Sequence, residues 1–368
     1  MEGFWEDYNI ENLLLVTAHP EFAQEAVNEL KHIDQRLTGI EELAPGIILC
    51  NVPDSETLMQ KVTTQVPIFV RHIAPVQAIV DLHNNEQDMG TIAMTIADLP
   101  AFASLERGIR FAVQSRFVQT DKSYGERPYT SGQLNKSLAE AFAEETGAIE
   151  AIKKPQIVIS ILCTMYKGYL GISTADENLS AWPGGARHFA QTKEQISRAE
   201  FKLLEALEVF GITLPEGGRA LDLGAAPGGW TRLLLDAGLS VVAVDPANLD
   251  PRLTRRKQLE HFRGYAENYL EVALRRHNRF DIIANDMRMD AREAARLLDT
   301  ASGCLRPEGV IISVLKLPHA TQEINPLINL KEALYTLRQQ YAIVQARQLF
   351  HNRQEVTVVA AQPLTMRR

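Results

Sequence analysis

ALDLGAAPGGWTRLLLDAG, residues 220–238, decides the fold. A β-rich apolar run ends at Leu223, and Gly224 permits a tight turn directly after it. Gly228 and Gly229 let backbone approach a ligand closely, and the helix that follows presents free N–H groups at its start. One strand later, SVVAVD (240–245) ends on Asp245, where a carboxylate is placed to accept hydrogen bonds from two ribose hydroxyls. A plain β-turn-α packing loop needs neither that acid nor the clustered glycines.

The same layout serves nicotinamide enzymes, so the details decide. The spacing is G-x-x-x-G-G, not G-x-G-x-x-G, and Asp222 sits in the strand just before the turn. An acid there repels a pyrophosphate and attracts a cation. A sulfonium and an ammonium on one nucleoside, as in S-adenosyl-L-methionine, fit both Asp222 and Asp245. The expected cofactor contacts are Asp222, Gly224, Ala225, Ala226, Pro227, Gly228, Gly229, Trp230 and Asp245.

Outward from this loop the chain alternates. FKLLEALEVFG (201–211) reads as a helix closed by Gly211. RALDLG, SVVAVD, FDIIAND and GVIISVLK read as buried parallel strands with helices between them. YAIVQARQLF and EVTVVAA form a terminal antiparallel hairpin. Residues 200–368 are therefore expected to be an α/β, Rossmann-like domain, preceded by a linker at 176–199 rich in Gly, Asn, Ser and Pro. Upstream, 1–82 reads as an α+β unit of ferredoxin-like type, with strands in LLLVTAH and GIILCNV and helices in PEFAQEAVNELKHI and ETLMQKVTTQV. Residues 83–175 form a second mixed α+β segment.

Bulk properties narrow the class. No stretch reaches the roughly 20 apolar residues of a membrane span, and MEGFWEDY has no basic start, so no secretory signal is expected. Cys50, Cys163 and Cys304 are scattered, which argues against a disulfide framework or a zinc site and for the cytoplasm. The net charge of −8 counts against nucleic acid. One island runs the other way: Arg107 to Lys136 holds six Lys or Arg against Asp121 and Glu126, a net of +4. Its Phe117, Tyr124 and Tyr129 read either as core aromatics or as platforms for bases.

DLGAAPGGW resembles the motif of the FtsJ-type RNA ribose 2′-O-methyltransferases. Further segments resemble that family in the same order: SRAEFKLLEA with Lys202, IIANDM with Asp286, SVLKLP with Lys316, and NRQEVTVVA with Glu355. The resemblance covers residues 197–360. It implies a catalytic Lys202–Asp286–Lys316–Glu355 tetrad, with Asp286 also beside the cofactor. Residues 83–175 resemble a THUMP RNA-binding domain. The combination is similar to methyltransferases of 23S rRNA, implying a cytidine of 23S rRNA, free or in a ribosome-assembly precursor. Other readings are a tRNA or another rRNA site, or a non-catalytic RNA-binding relic. The family's acid for the adenine is replaced here by FRGYAENYL (262–270), where Glu267 is the nearest acid and Tyr265 an alternative.

The chemistry expected of such a site is base-assisted and needs no metal. A ribose hydroxyl requires a base in line with the methyl donor. Lysine, with a pKa of about 10.4, is charged near neutrality unless a second cation lowers it. Lys202 is expected to do this for Lys316, the better base because strand ends point into the ligand crevice.

Overall fold

Leu13, Leu14, Leu15 and Val16 are all buried, whereas a strand wet on one face would alternate. In a computed structural model, which describes residues 9–118, 127–319 and 325–364, that strand is covered on both sides. The chain divides into two compact units, Met1–Arg187 and His188–Arg368.

The first unit begins β1 (Leu13–Thr17), α1 (Ala23–Ile33), β2 (Thr38–Ala44), β3 (Ile47–Asn51), α2 (Ser55–Thr64), β4 (His72–Val76). These strands form one antiparallel sheet in the order β2-β3-β1-β4, the β-α-β-β-α-β arrangement of ferredoxin-like type. It continues with β5 (Ala78–Asp81), α3 (Gln87–Ala97), β6 (Arg110–Phe117), α4 (Ser131–Thr146), β7 (Ile149–Glu150), β8 (Ile157–Cys163) and β9 (Lys167–Thr174). The second sheet runs β5-β9-β8-β6-β7. Leu13, Leu15 and Leu49 of the first sheet share a core with Leu162 and Tyr169 of the second. Thr130 and Gln133 form a reciprocal capping box at the start of α4, and Gly147 in the left-handed region ends it.

The basic island resolves differently from an aromatic platform. Tyr129 is buried and donates to Asp88. Phe117 packs edge-on against Tyr129, beneath the Arg127 guanidinium. Tyr129 belongs to the core of this second sheet, and Phe117 packs partly buried against it. Asp121, Lys122, Tyr124 and Glu126 lie outside the described residues.

The stretch 176–199 is not uniformly loose. Asn178 is fully buried; its side-chain Nδ2 donates to the Ile73 carbonyl at 2.7 Å, and its main-chain carbonyl accepts from the Ile73 N–H. These two bonds anchor this part of the stretch to β4.

The second unit contains α5 (Glu200–Val209), β10 (Arg219–Leu223), α6 (Gly229–Asp236), β11 (Ser240–Val244), β12 (Leu259–Phe262), α7 (Ala266–Arg275), β13 (Phe280–Asn285), α8 (Ala291–Ala301), β14 (Leu305–Lys316), α9 (Pro326–Gln340), β15 (Tyr341–Arg347) and β16 (Glu355–Pro363). Its seven-stranded sheet runs β12-β11-β10-β13-β14-β16-β15. The first five are parallel, and β16 is antiparallel to both neighbours. This is a Rossmann-like α/β sheet closed by the expected hairpin. Strand order reverses at β10, so the crevice for a ligand lies beyond the carboxyl ends of β10 and β13. Among the described residues no helix is long and apolar enough to cross a membrane.

Candidate active site

The loop after β10 is shaped by two glycines with positive φ. A Cβ on Gly224 (φ +72°) would lie 2.2 Å from Met287 Cγ, and one on Gly228 (φ +109°) 2.3 Å from Leu253 Cδ1. Backbone sign and space both require glycine there. The loop is tied to β11: Gly224 N and Ala225 N donate to the Val244 carbonyl. Ala226 N donates to Asp245 Oδ2 at 3.0 Å and Ala247 N to Asp245 Oδ1 at 2.8 Å. Each Asp245 oxygen keeps a lone pair for a further donor. Pro227 at the loop tip is exposed.

Asp222 is 2% exposed and accepts from Thr231 Oγ1 at 2.6 Å. Among the described residues it forms no ion pair. Burial pushes its carboxyl up to about 7, with Asp286 and Asp245 adding to the rise and Thr231 opposing it. Such a group is poised to gain from a cationic ligand.

Other members of the expected cofactor set sit differently. The Trp230 indole is buried and donates to the Ala199 carbonyl at 2.7 Å, so its side chain locks α6 to the segment entering α5. Glu267 lies exposed in the first turn of α7, and Tyr265, at that helix's start, is 66% exposed.

Four side chains distant in sequence converge. Lys316 Nζ lies 2.5 Å from Asp286 Oδ1 and 2.7 Å from Glu355 Oε1. Lys202 Nζ lies 3.2 Å from Asp286 Oδ1 and 2.9 Å from Glu355 Oε1. Each lysine bridges both carboxylates, giving a square of alternating charge. Four elements explain it. Lys316 ends β14 directly opposite Glu355, the first residue of antiparallel β16. Asp286 follows β13, the parallel neighbour of β14, and a buried Asn285–Ser313 hydrogen bond of 2.9 Å holds the two strands in register there. Lys202 reaches in from α5.

The electrostatics correct one expectation. Burial alone pulls the Lys316 pKa down, but attraction from Asp286 and Glu355 outweighs it and leaves it above the ordinary lysine value. Burial likewise pushes Glu355 up, and Lys202 and Lys316 overturn that and hold it below the usual range. The two carboxylates, at 2.5 and 2.7 Å from Nζ, decide the direction.

Glu205 is a positioning residue that the sequence did not single out. Buried on α5, it accepts from Phe350 N at 2.8 Å and His351 N at 2.9 Å. This fixes the turn between β15 and β16 to the helix carrying Lys202. Its place three residues after Lys202, on the same helical face, was the available signal. His351 packs against Phe189 and Phe201.

Residues 195–335 match the FtsJ-like methyltransferase family. That match lies within the Rossmann-like unit. Nearly the whole chain is similar to Ribosomal RNA large subunit methyltransferase M of Azotobacter vinelandii, 27% identical over 360 residues, covering 94% of this chain and 97% of the relative. The protein of that name from Pseudomonas entomophila is 25% identical over 361 residues, with the same shares covered. Its counterpart from Halorhodospira halophila is 35% identical over 187 residues, 49% of this chain, and that match spans about half the relative, 51%.

Proposed function

We propose that this protein transfers a methyl group from S-adenosyl-L-methionine to the 2′-hydroxyl of a ribose in 23S rRNA, a cytidine being the favoured nucleotide, and that it works in the cytoplasm. The observation that carries this reading is the square of Lys202, Asp286, Lys316 and Glu355 at the carboxyl edge of the sheet. A hydroxyl acceptor needs a proton acceptor, and the square offers a lysine base without a metal. Similarity along nearly the full chain to methyltransferases named for the large ribosomal subunit supports rRNA as the class of acceptor.

The donor set fits S-adenosyl-L-methionine. Asp222, buried without a cation, suits the positive end of the ligand, and Asp245, with a lone pair left on each oxygen, suits the ribose hydroxyls. Exposed Tyr265 is a better candidate for the adenine than Glu267, which lies farther along α7. When bound, the cofactor supplies an electrophilic methyl group on a sulfonium.

The chain's own residues do the rest. Lys316 loses its proton to solvent, and its free Nζ then accepts the proton of the 2′-hydroxyl as the new C–O bond forms and the C–S bond breaks. Asp286 and Glu355 hold both lysines in place, and Lys202 keeps the square charge-balanced. The first unit serves as the RNA-docking module, its 83–175 segment acting as a THUMP-like domain. Exposed Arg107, Arg110 and Lys136 provide phosphate contacts in an otherwise acidic chain. Mapping ribose methylation across rRNA in a deletion strain tests the assignment. Loss of one 2′-O-methyl group in 23S rRNA, restored by the purified protein, is the expected outcome. An unchanged rRNA map with a lost tRNA methyl group would move the acceptor.

A further inference from the structure

The first unit contains a cavity between its two sheets. Its apolar wall includes Leu15, Ile47 and Ile161. Its polar wall is the unusual part. Gln114 and Ser160 are opposite one another in the parallel pairing of β6 with β8, and Arg116 is two residues beyond Gln114 on the same face. His72 faces them from β4.

These groups are buried without being satisfied. His72 is 5%, Gln114 6% and Ser160 8% exposed, yet among the described residues His72 Nε2, Gln114 Oε1 and Ser160 Oγ have no hydrogen-bond partner. Nearly all buried polar atoms in folded chains are paired, so three orphans around one cavity are free to meet a ligand there. The amide orientation of Gln114 is not free: its Nε2 donates to the Ala181 carbonyl at 2.7 Å, so Oε1 must face the cavity as an acceptor. Arg116 adds a partly buried guanidinium that forms no ion pair among the described residues. It lies directly on Gly184, where a Cβ would come within 1.7 Å of Nη1, so this arrangement requires the absence of a side chain. Burial lowers both the Arg116 and the His72 pKa, and His72, at about 3, is neutral. The cavity wall therefore offers one fixed positive charge, two groups able to donate, and one obligatory acceptor.

We propose that this cavity binds a phosphate group carrying an ionisable hydroxyl, with Arg116, Ser160 and His72 donating to its oxygens and Gln114 Oε1 accepting from its P–OH. Hydrogen phosphate and singly ionised phosphate monoesters have this combination of charge, acceptors and a donor; chloride has no donor, and ammonium ions have the wrong sign. The site is separate from the methyl-transfer square and does not depend on that reading. Its ligand is either a free phosphate compound or the terminal phosphate of an RNA.

The test uses the full chain and inorganic phosphate at constant ionic strength. Phosphorus NMR should show a broadened or shifted bound signal, and the thermal midpoint should climb with each tenfold rise in phosphate but not in chloride. Arg116→Met should abolish both responses while leaving the midpoint in phosphate-free buffer at or above wild type, since it removes a buried unpaired charge. Ser160→Ala, which removes a single donor, should weaken binding about tenfold and covers the case of an Arg116 variant that fails to fold. Displacement of bound phosphate by a 5′-phosphorylated oligoribonucleotide, but not by its 5′-hydroxyl form, would assign the pocket to an RNA terminus. Displacement by neither would assign it to a free phosphate compound. A flat midpoint with an unperturbed phosphorus signal would overturn the proposal and leave the cavity to water. So would an Arg116→Met variant that responds like wild type.

Discussion

Lys316 and Arg116 are both cations withdrawn from water near strand ends, one in each unit, and their surroundings differ in kind. Lys316 meets two carboxylates within 2.7 Å, and each of those meets a second lysine. Arg116 meets no acid among the described residues. The first arrangement is complete within the chain, so its charge is held ready for chemistry on something brought to it. The second is incomplete, and the same burial that makes it costly points to an anion from outside. Asp222 belongs with Arg116 in this respect: a buried charge whose partner is not part of the protein.

The largest effect should come from breaking the square. Lys316→Ala is expected to lower single-turnover methylation of rRNA by about 10³-fold while cofactor affinity changes little. Lys316→Arg should fail as badly, because a guanidinium does not give up its proton near neutrality. Because the two carboxylates raise the Lys316 pKa, the wild-type single-turnover rate should rise about tenfold per pH unit from neutrality upward, provided that chemistry limits it. Appreciable activity in Lys316→Ala would move the base to Lys202 or leave alignment alone.

Asp222 sharpens the comparison through pH. Its carboxyl, raised from 3.8 to about 7, should bind a cation well only once ionised. Calorimetry between pH 5.5 and 7 should therefore find cofactor affinity rising with pH, by up to tenfold per unit. Asp222→Asn should abolish that slope and weaken binding at pH 7.5 by about 10- to 100-fold. The stability sign is opposite. A raised carboxyl pKa costs the folded chain more as pH climbs from 3.8 through about 7. Asp222→Asn should thus raise the cofactor-free thermal midpoint at pH 8, by at most about 4 kcal/mol of stability, and have no such effect at pH 3.5. A lower midpoint at pH 8 would show that the carboxylate is not an unpaired burden.

Smaller effects test positioning. Asp245→Ala should weaken cofactor binding about tenfold by calorimetry through loss of a charge-assisted acceptor; unchanged affinity removes it from the site. Glu205→Gln leaves one acceptor oxygen for two N–H donors, Phe350 N and His351 N. It should lower kcat about fivefold with cofactor affinity intact and the pH slope preserved. A proportional loss of folded protein instead would assign Glu205 to stability alone.

The sequence by itself carried the Rossmann-like order of the second unit, because buried parallel strands read as unbroken apolar runs and the glycine loop leaves a spacing signature. β12 was not singled out as a strand: LEHF is short, polar and partly exposed at the sheet edge, so it has little periodicity to read. β2 shows the same weakness, with most of TGIEELA exposed. The tetrad's membership was legible only through the ordered resemblance of four segments. Tertiary structure alone decided the rest, because each remaining outcome depends on which groups from distant segments meet. The Lys316 pKa rises because Asp286 and Glu355 lie against its Nζ; Trp230 and Tyr129 face cores; and Arg116 lies beside His72, Gln114 and Ser160 across two sheets. Distance, burial and partner count fix charge state and ligand preference, and none of these is a property of residue order.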